Sequence, residues 1–201
     1  MASSTISICN RALQILGTTP ITSLDDANNR ARNMAIAWDP VRTAELRRRI
    51  WSFAITRITL AALADKPDSD YTYQYQLPNG FVRLAAGGDL KTISDLSDFR
   101  GEEHTLYVLE GGKILTELGP PLAIRYVQDV TDPRQFDAAF AEALACRLAY
   151  ETCSAITEST AKEQAAALGY KEAIIEAKRA NALELPPVLM PDNEWVSTRI
   201  R

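Results

Sequence analysis

Apolar residues recur with a helical period near both ends of the chain and with a period of two through its middle. Ser3, Ser4 and Thr5 can each cap free amides with a hydroxyl, and Ile8, Ala12, Ile15 and Leu16 then share a face before Gly17 marks an exit. Ser23-Leu24-Asp25-Asp26 resembles a capping box with Asp in place of Glu, which predicts a second helix carrying Ala27, Ala31, Met34 and Ala35 to about Trp38. Asp39-Pro40 predicts a restart, because Asp caps well and proline is tolerated in a first turn. The third helix, about Val41 to Ala64, is apolar on two sides: Leu46, Ile50, Phe53 and Ala54 form one stripe, and Trp51, Ile55, Ile58 and Ala62 another. Two stripes predict either a central helix or one that meets a second chain.

Asp65-Lys66-Pro67 ends that pattern. Tyr71, Tyr73, Tyr75 and Leu77 alternate with polar residues, as in a half-buried strand; Pro78-Asn79-Gly80 is a turn, and Phe81 to Leu84 is expected to pair back. Thr105 to Leu109, Gly111-Gly112 and Ile114 to Leu118 read as a hairpin, and Leu122 to Val127 as one more strand. Helix then returns. Asp132-Pro133-Arg134-Gln135 combines a cap, a first-turn proline and a Gln; Phe136, Phe140, Leu144 and Leu148 follow at helical spacing beside Ala141, Ala145 and Ala149. Thr160-Ala161-Lys162-Glu163 opens an antiparallel partner running to about Ala182. From Leu183 to Arg201, three prolines forbid a long helix while apolar residues persist, so this tail is either a strap on its own domain or a segment for another surface.

These elements predict an α+β fold: mainly an α-helical bundle with an inserted small antiparallel β-sheet and an extended C-terminal tail. Residues 1–66 and 128–182 would form a discontinuous helical body, 67–127 an inserted β-rich domain, and 183–201 a docking tail. The length of 201 residues suits one domain, or one with an insertion. A formal charge of −4 gives no global reason to expect nucleic-acid binding, and no apolar run approaches the roughly 20 residues of a membrane helix. The opening MASSTISICNRALQIL lacks a basic start and does not read as a signal peptide. Three cysteines, Cys9, Cys146 and Cys153, suit reduced thiols in a cytoplasmic setting.

Candidate chemistry is thin. His104, the single histidine, has Glu102 and Glu103 beside it, but adjacent side chains on a strand face opposite ways, and a catalytic zinc wants about three converging ligands. An exposed loop histidine is expected. Cys146 and Cys153 share a helical face without a CxxC or a nearby His, as small core thiols do. No phosphate-loop, dinucleotide, zinc-protease or nucleophile-elbow pattern occurs, so neither an enzyme nor a cofactor is expected. Charge is concentrated differently: Arg30, Arg32, Arg42, Arg47, Arg48, Arg49 and Arg57 face only Asp39 and Glu45 between residues 30 and 57. A solvated helix face, phosphate contact and pairing with carboxylates of a neighbouring subunit are all compatible with this, and the acidic total favours the neighbour.

Several blocks in order resemble a known family. Ile8-Cys9-Asn10-Arg11-Ala12-Leu13-Gln14-Ile15-Leu16-Gly17, with Ile21 and Leu24-Asp25-Asp26, is similar to the opening of the tail tubular protein A family, the head-to-tail adaptors of short-tailed bacteriophages. Glu45-Leu46-Arg47 with Trp51-Ser52-Phe53-Ala54, then Tyr75-Gln76-Leu77-Pro78, resemble its next blocks. Arg125-Tyr126-Val127 and Asp129-Val130-Thr131-Asp132 lead into Phe136-Asp137 and Glu142-Ala143-Leu144-Ala145 similarly, and Asn193-Glu194-Trp195 resembles the family's tail. The loop from Ala85 to Glu103 matches nothing in the family.

The resemblance implies a structural virion protein at the head–tail junction, made in the host cytoplasm. It would form a ring, expected to be twelve-fold, beneath the portal protein. The ring would extend the DNA channel without sequence-specific binding and offer a platform for the tail nozzle or other tail proteins. Leu189, Trp195, Val196 and Ile200 are the expected portal-docking residues, and Arg47, Arg48, Arg49 and Trp51 the expected contact between subunits. The competing reading is a helical DNA-binding or regulatory protein using the arginine cluster at 42–57. No membrane partner is expected.

Overall fold

The computed structural model describes residues 4–85 and 107–184. These form four α-helices and two three-stranded antiparallel sheets, an α+β fold. Helix α1 (Thr5–Ile15) starts at a reciprocal cap: Ser4 Oγ accepts from Ser7 N, and Ser7 Oγ accepts from Ser4 N. Its buried face is Ile8, Cys9, Ala12 and Leu13, continued by Leu16; Ile15, expected on that face, is 37% exposed. Gly17 leaves the helix at φ +67°, a conformation that favours glycine.

The expected helix start at Ser23 is replaced by a turn, because Asp26 spends its carboxylate on the Thr22 and Ser23 amides. Helix α2 (Asn29–Arg48) begins five residues later, where the Asn28 side chain accepts from Ala31 N. It then runs through Pro40 without the expected restart. Pro40 sits on the exposed side, while Trp38, Val41, Arg42, Glu45 and Leu46 are buried and hold the helix to the core across the missing amide bond.

The largest correction concerns the helix expected over 41–64. Helix α2 stops at Arg48, a single 3-10 turn covers Ser52–Ala54, and strand β1 takes Ile55–Leu60. The four β-branched residues Ile55, Thr56, Ile58 and Thr59 favour the pleated conformation, and a full register with β6 (Leu122–Gln128) rewards it, from Ile55 opposite Val127 to Leu60 opposite Leu122. Strand β3 (Phe81–Leu84) also pairs with β6, giving the order β1-β6-β3, and not with β2 (Tyr73–Gln76) as expected. The second sheet is β2-β5-β4, in which β4 (Tyr107–Glu110) and β5 (Lys113–Thr116) form the expected hairpin. Leu60, Leu122, Ile124 and Tyr126 of the first sheet share a small core with Tyr75 and Ile114 of the second.

Beyond the sheets, Pro133–Gln135 is only one 3-10 turn, not the start of the long helix. Helix α3 (Ala138–Thr157) starts later because Asp137 accepts from both Ala139 N and Phe140 N. It ends at Glu158 in the left-handed region. Helix α4 (Thr160–Glu184) returns antiparallel, so that Asn181 lies beside Ile50 and Ser52 at the end of the body where α3 begins. Ala145 and Ala149 of α3 and Ala166 and Ala177 of α4 are buried, and their small size suits close helix approach.

Candidate functional site

The arginines grouped in sequence between 42 and 57 disperse in the fold. Arg42 is 3% exposed; its guanidinium pairs with Asp129, donates to Val130 O at 2.9 Å and reaches Asp39 Oδ1 at 3.1 Å, tying α2 to the segment between β6 and α3. Arg47 Nη1 donates to Val82 O at 2.6 Å, joining α2 to β3. Arg48 turns toward α4, hydrogen-bonding the Tyr170 hydroxyl. Arg49 is exposed just past the helix end, and Arg57 is exposed on β1.

Trp51, expected between subunits, is covered by its own chain at 1% exposure. Its ring meets Phe140 at 4.9 Å, Phe53 joins the same Phe140 at 4.9 Å, and Phe136 lies 5.1 Å from it. The Trp51 Nε1 donates to Glu45 O at 2.9 Å. With its apolar area and its donor both satisfied, it has nothing to offer a neighbour; the second stripe read onto a helix belongs to a turn and a strand.

The best-defined polar site is the joint built on Glu45, whose side chain is 3% exposed. Tyr170 donates its hydroxyl to Glu45 Oε1 at 2.6 Å, while Arg48 and Arg147 approach the same oxygen at 3.5 and 3.6 Å. Arg147 also lies over the Tyr170 ring at 5.1 Å and pairs with Glu151 at 2.5 Å. Burial and then the Glu45 hydrogen bond push the Tyr170 hydroxyl up from its ordinary value, so it stays a donor. Burial opposes the charge on Arg147, but Tyr170, Glu151 and Glu45 outweigh it and raise its pKa. Glu45 Oε2 and Arg147 Nε are buried without a hydrogen bond, so the joint is costly to form and costly to break. The sequence held a signal for it: Glu45 adjoins buried Leu46, and Arg147 sits between Leu144 and Leu148, so both charges fall among residues facing the core.

What the joint can do chemically is limited. It fixes α2, α3 and α4 to one another. A surface depression of about 760 Å³ lies elsewhere, along α1 and the turn that follows, lined by residues that include Asn10, Gln14 and Thr18. The Arg11 in its wall is held by Glu142 at 2.7 Å, and Asn10 is spent on both backbone groups of Ile21. The three cysteines are buried and free; burial pushes the Cys9 thiol up to about 12 and raises that of Cys146 as well, the opposite of a reactive thiolate. Among the described residues, no group of three or more His, Cys, Asp or Glu side chains is placed to hold a metal, and no helix is long and apolar enough to cross a membrane. His104 and the docking residues Leu189, Trp195, Val196 and Ile200 lie outside the described residues.

No family model matches the chain, and no curated protein matches its sequence.

Proposed function

We propose that the chain is a structural virion protein, one subunit of a head-to-tail adaptor ring that joins a portal to a phage tail and extends the DNA channel. The observation that carries this reading is the ordered resemblance to the tail tubular protein A family across nearly the whole chain. Residues from those blocks are the ones that build the body. Asn10 pins Ile21, Glu45 centres the joint, Trp51 centres the aromatic cluster and Asp129 receives Arg42. A body cross-tied in this way suits a part that must keep its shape under load. The DNA-binding alternative is weakened as first stated, because Arg42 is buried against Asp129 and Arg48, though half exposed, is engaged by Tyr170 and Glu45.

The test is negative-stain imaging of the full chain mixed with its portal protein. Rings seated on the portal vertex are the expected result, and a chain that stays unbound at moderate salt overturns the reading. Removing residues 184–201 should abolish docking while circular dichroism stays unchanged. Arg49→Glu probes the subunit contact cleanly, since Arg49 touches neither the Glu45 joint nor Arg42; intact rings from that variant would remove Arg49 from the interface.

A further inference from the structure

Helix α4 is apolar on two opposite sides. Ala166, Tyr170, Ile174 and Ala177 face the core, while Leu168, Ile175 and Leu183 stand 60%, 47% and 88% exposed. A helix on the surface of a lone subunit needs one apolar stripe, not two. Leu168, Glu172, Ile175, Arg179 and Leu183 follow one another at spacings of four and three residues, so they share the outer face. Ala161, Ala165 and Ala182 lie on it as well, and their small size lets a neighbour approach closely. Charge on this face is incompletely paired. Arg179 Nη1 is bound to Glu176 at 2.6 Å, and Glu172 stands four residues before Glu176, a like-charge spacing that an isolated helix disfavours. Among the described residues, no ion pair includes Glu172.

We propose that α4 pairs with α4 of a second copy, antiparallel across a two-fold axis that passes beside Ile175. In that register the outer face is complementary to itself. Ile175 meets the partner's Ile175 next to the axis, Leu168 lies across from the partner's Leu183, and Glu172 from the partner's Arg179. The last two pairs occur twice, once on each side of the axis, and the contact runs roughly 22 Å along the helices. Glu172 thereby gains the cation that its own helix does not give it. A parallel pairing in register would instead set Glu172 against Glu172 and Arg179 against Arg179, like charge on like. Lys171 and Lys178 stay toward the flank, where solvent screens them. Each copy contributes three large apolar side chains, fewer than a standard interface of about 1,600 Å² holds, so pairing is weak and depends on concentration. The inference goes beyond the adaptor reading: a two-fold contact closes after two copies, so it belongs to the free chain and does not itself build a ring.

The experiment is sedimentation equilibrium of the full-length chain from roughly 1 to 300 µM, where the mass should rise from one copy toward two. Ile175→Glu should hold it at one copy, with circular dichroism unchanged because the site is exposed. Arg179→Glu and Glu172→Arg should each weaken pairing about tenfold or more, and the double variant Glu172→Arg/Arg179→Glu should regain it. Mild oxidation tests the register. Ile175→Cys should link to itself, whereas Leu168→Cys should link to Leu183→Cys and not to itself. The assignment is overturned if the wild type stays at one copy throughout, or if the folded double reversal fails to regain pairing. It is also overturned if the chain alone stays single while Leu168→Glu abolishes portal docking, which would make the portal the occupant of this face. Rings on the portal are imaged separately, so absence of the dimer leaves the adaptor reading untouched.

Discussion

In the helical body charged side chains are taken inside: Arg42 is 3% exposed and Glu45 2%, each held by groups from other elements. Among the described residues of the β region the buried polar ones are neutral, Gln74 and Thr116, and the arginines stay at the surface or half-buried. The difference follows from geometry and size. Long helices project side chains from three directions onto one point, so Glu45 can collect Tyr170, Arg48 and Arg147. Short strands sharing a core of Leu60, Tyr75, Ile114, Leu122, Ile124 and Tyr126 have neither the depth nor the spare partners to bury an ion. A buried ion pair is a poor source of net stability, and its better-attested value is to make one packing unique. We therefore expect the body to be specific and rigid, and the β region to be the softer unit.

The comparison can be broken at several points. Phe140→Ala removes the ring on which Trp51, Phe53 and Phe136 converge and should cost about 3–5 kcal/mol in urea denaturation. A loss below about 1 kcal/mol would mean the body is not centred there. Glu45→Ala strands the Tyr170 hydroxyl and two arginines and should cost about 3 kcal/mol. Glu45→Gln keeps an acceptor for Tyr170 and should cost less; equal and small losses from both variants would show that the joint contributes nothing. Ile114→Ala should cost about 2–4 kcal/mol within the β region. There, hydrogen exchange should quicken in β2, β4 and β5 while α3 stays protected. Equal quickening in α3 would merge the two regions into one cooperative unit.

The smallest expected effect is at alkaline pH. Tyr170 has a raised pKa, so its contribution is fully present below its ordinary value of 10.0 and is lost as pH climbs through the raised one. Cys9 acts with the same sign from 9.0 toward about 12. Tyr170→Phe should cost about 1 kcal/mol at neutral pH and flatten, without abolishing, the alkaline loss of stability. An unchanged profile would show that the hydroxyl is not held by Glu45 in solution.

Much of the architecture was legible because local signals agreed with tertiary demand. The hairpin around Gly111-Gly112, the period-two run at Tyr73 and Tyr75, and the α3–α4 pair follow from turn glycines, alternation and caps. The failures fall where two local signals competed. At Ser23 and Asp132, side chains able to cap a helix closed short turns, and Asn28 and Asp137 did the capping a few residues later. At Ile55 to Leu60, apolar residues spaced for a helical stripe also alternate as a strand. Pairing with β6, distant in sequence, decided between them. The candidate site was harder to read still. Its three helices bring Glu45, Arg147 and Tyr170 together across more than a hundred positions, and no local pattern encodes such a meeting.

From its sequence alone, this chain is an acidic α+β protein whose helical segments flank a β-rich middle, with thiols in the core and seven arginines between residues 30 and 57. Those properties follow from side-chain size, period and backbone preference, which act over a few residues. Only the tertiary structure decided which arginines are spent inside and which are left outside. Arg42 turns inward to Asp129, Arg48 reaches Glu45 from a half-exposed position, and Arg57 comes to stand opposite Arg125 of a distant strand. Electrostatic pairing depends on distance in space, and strand register and helix packing set that distance.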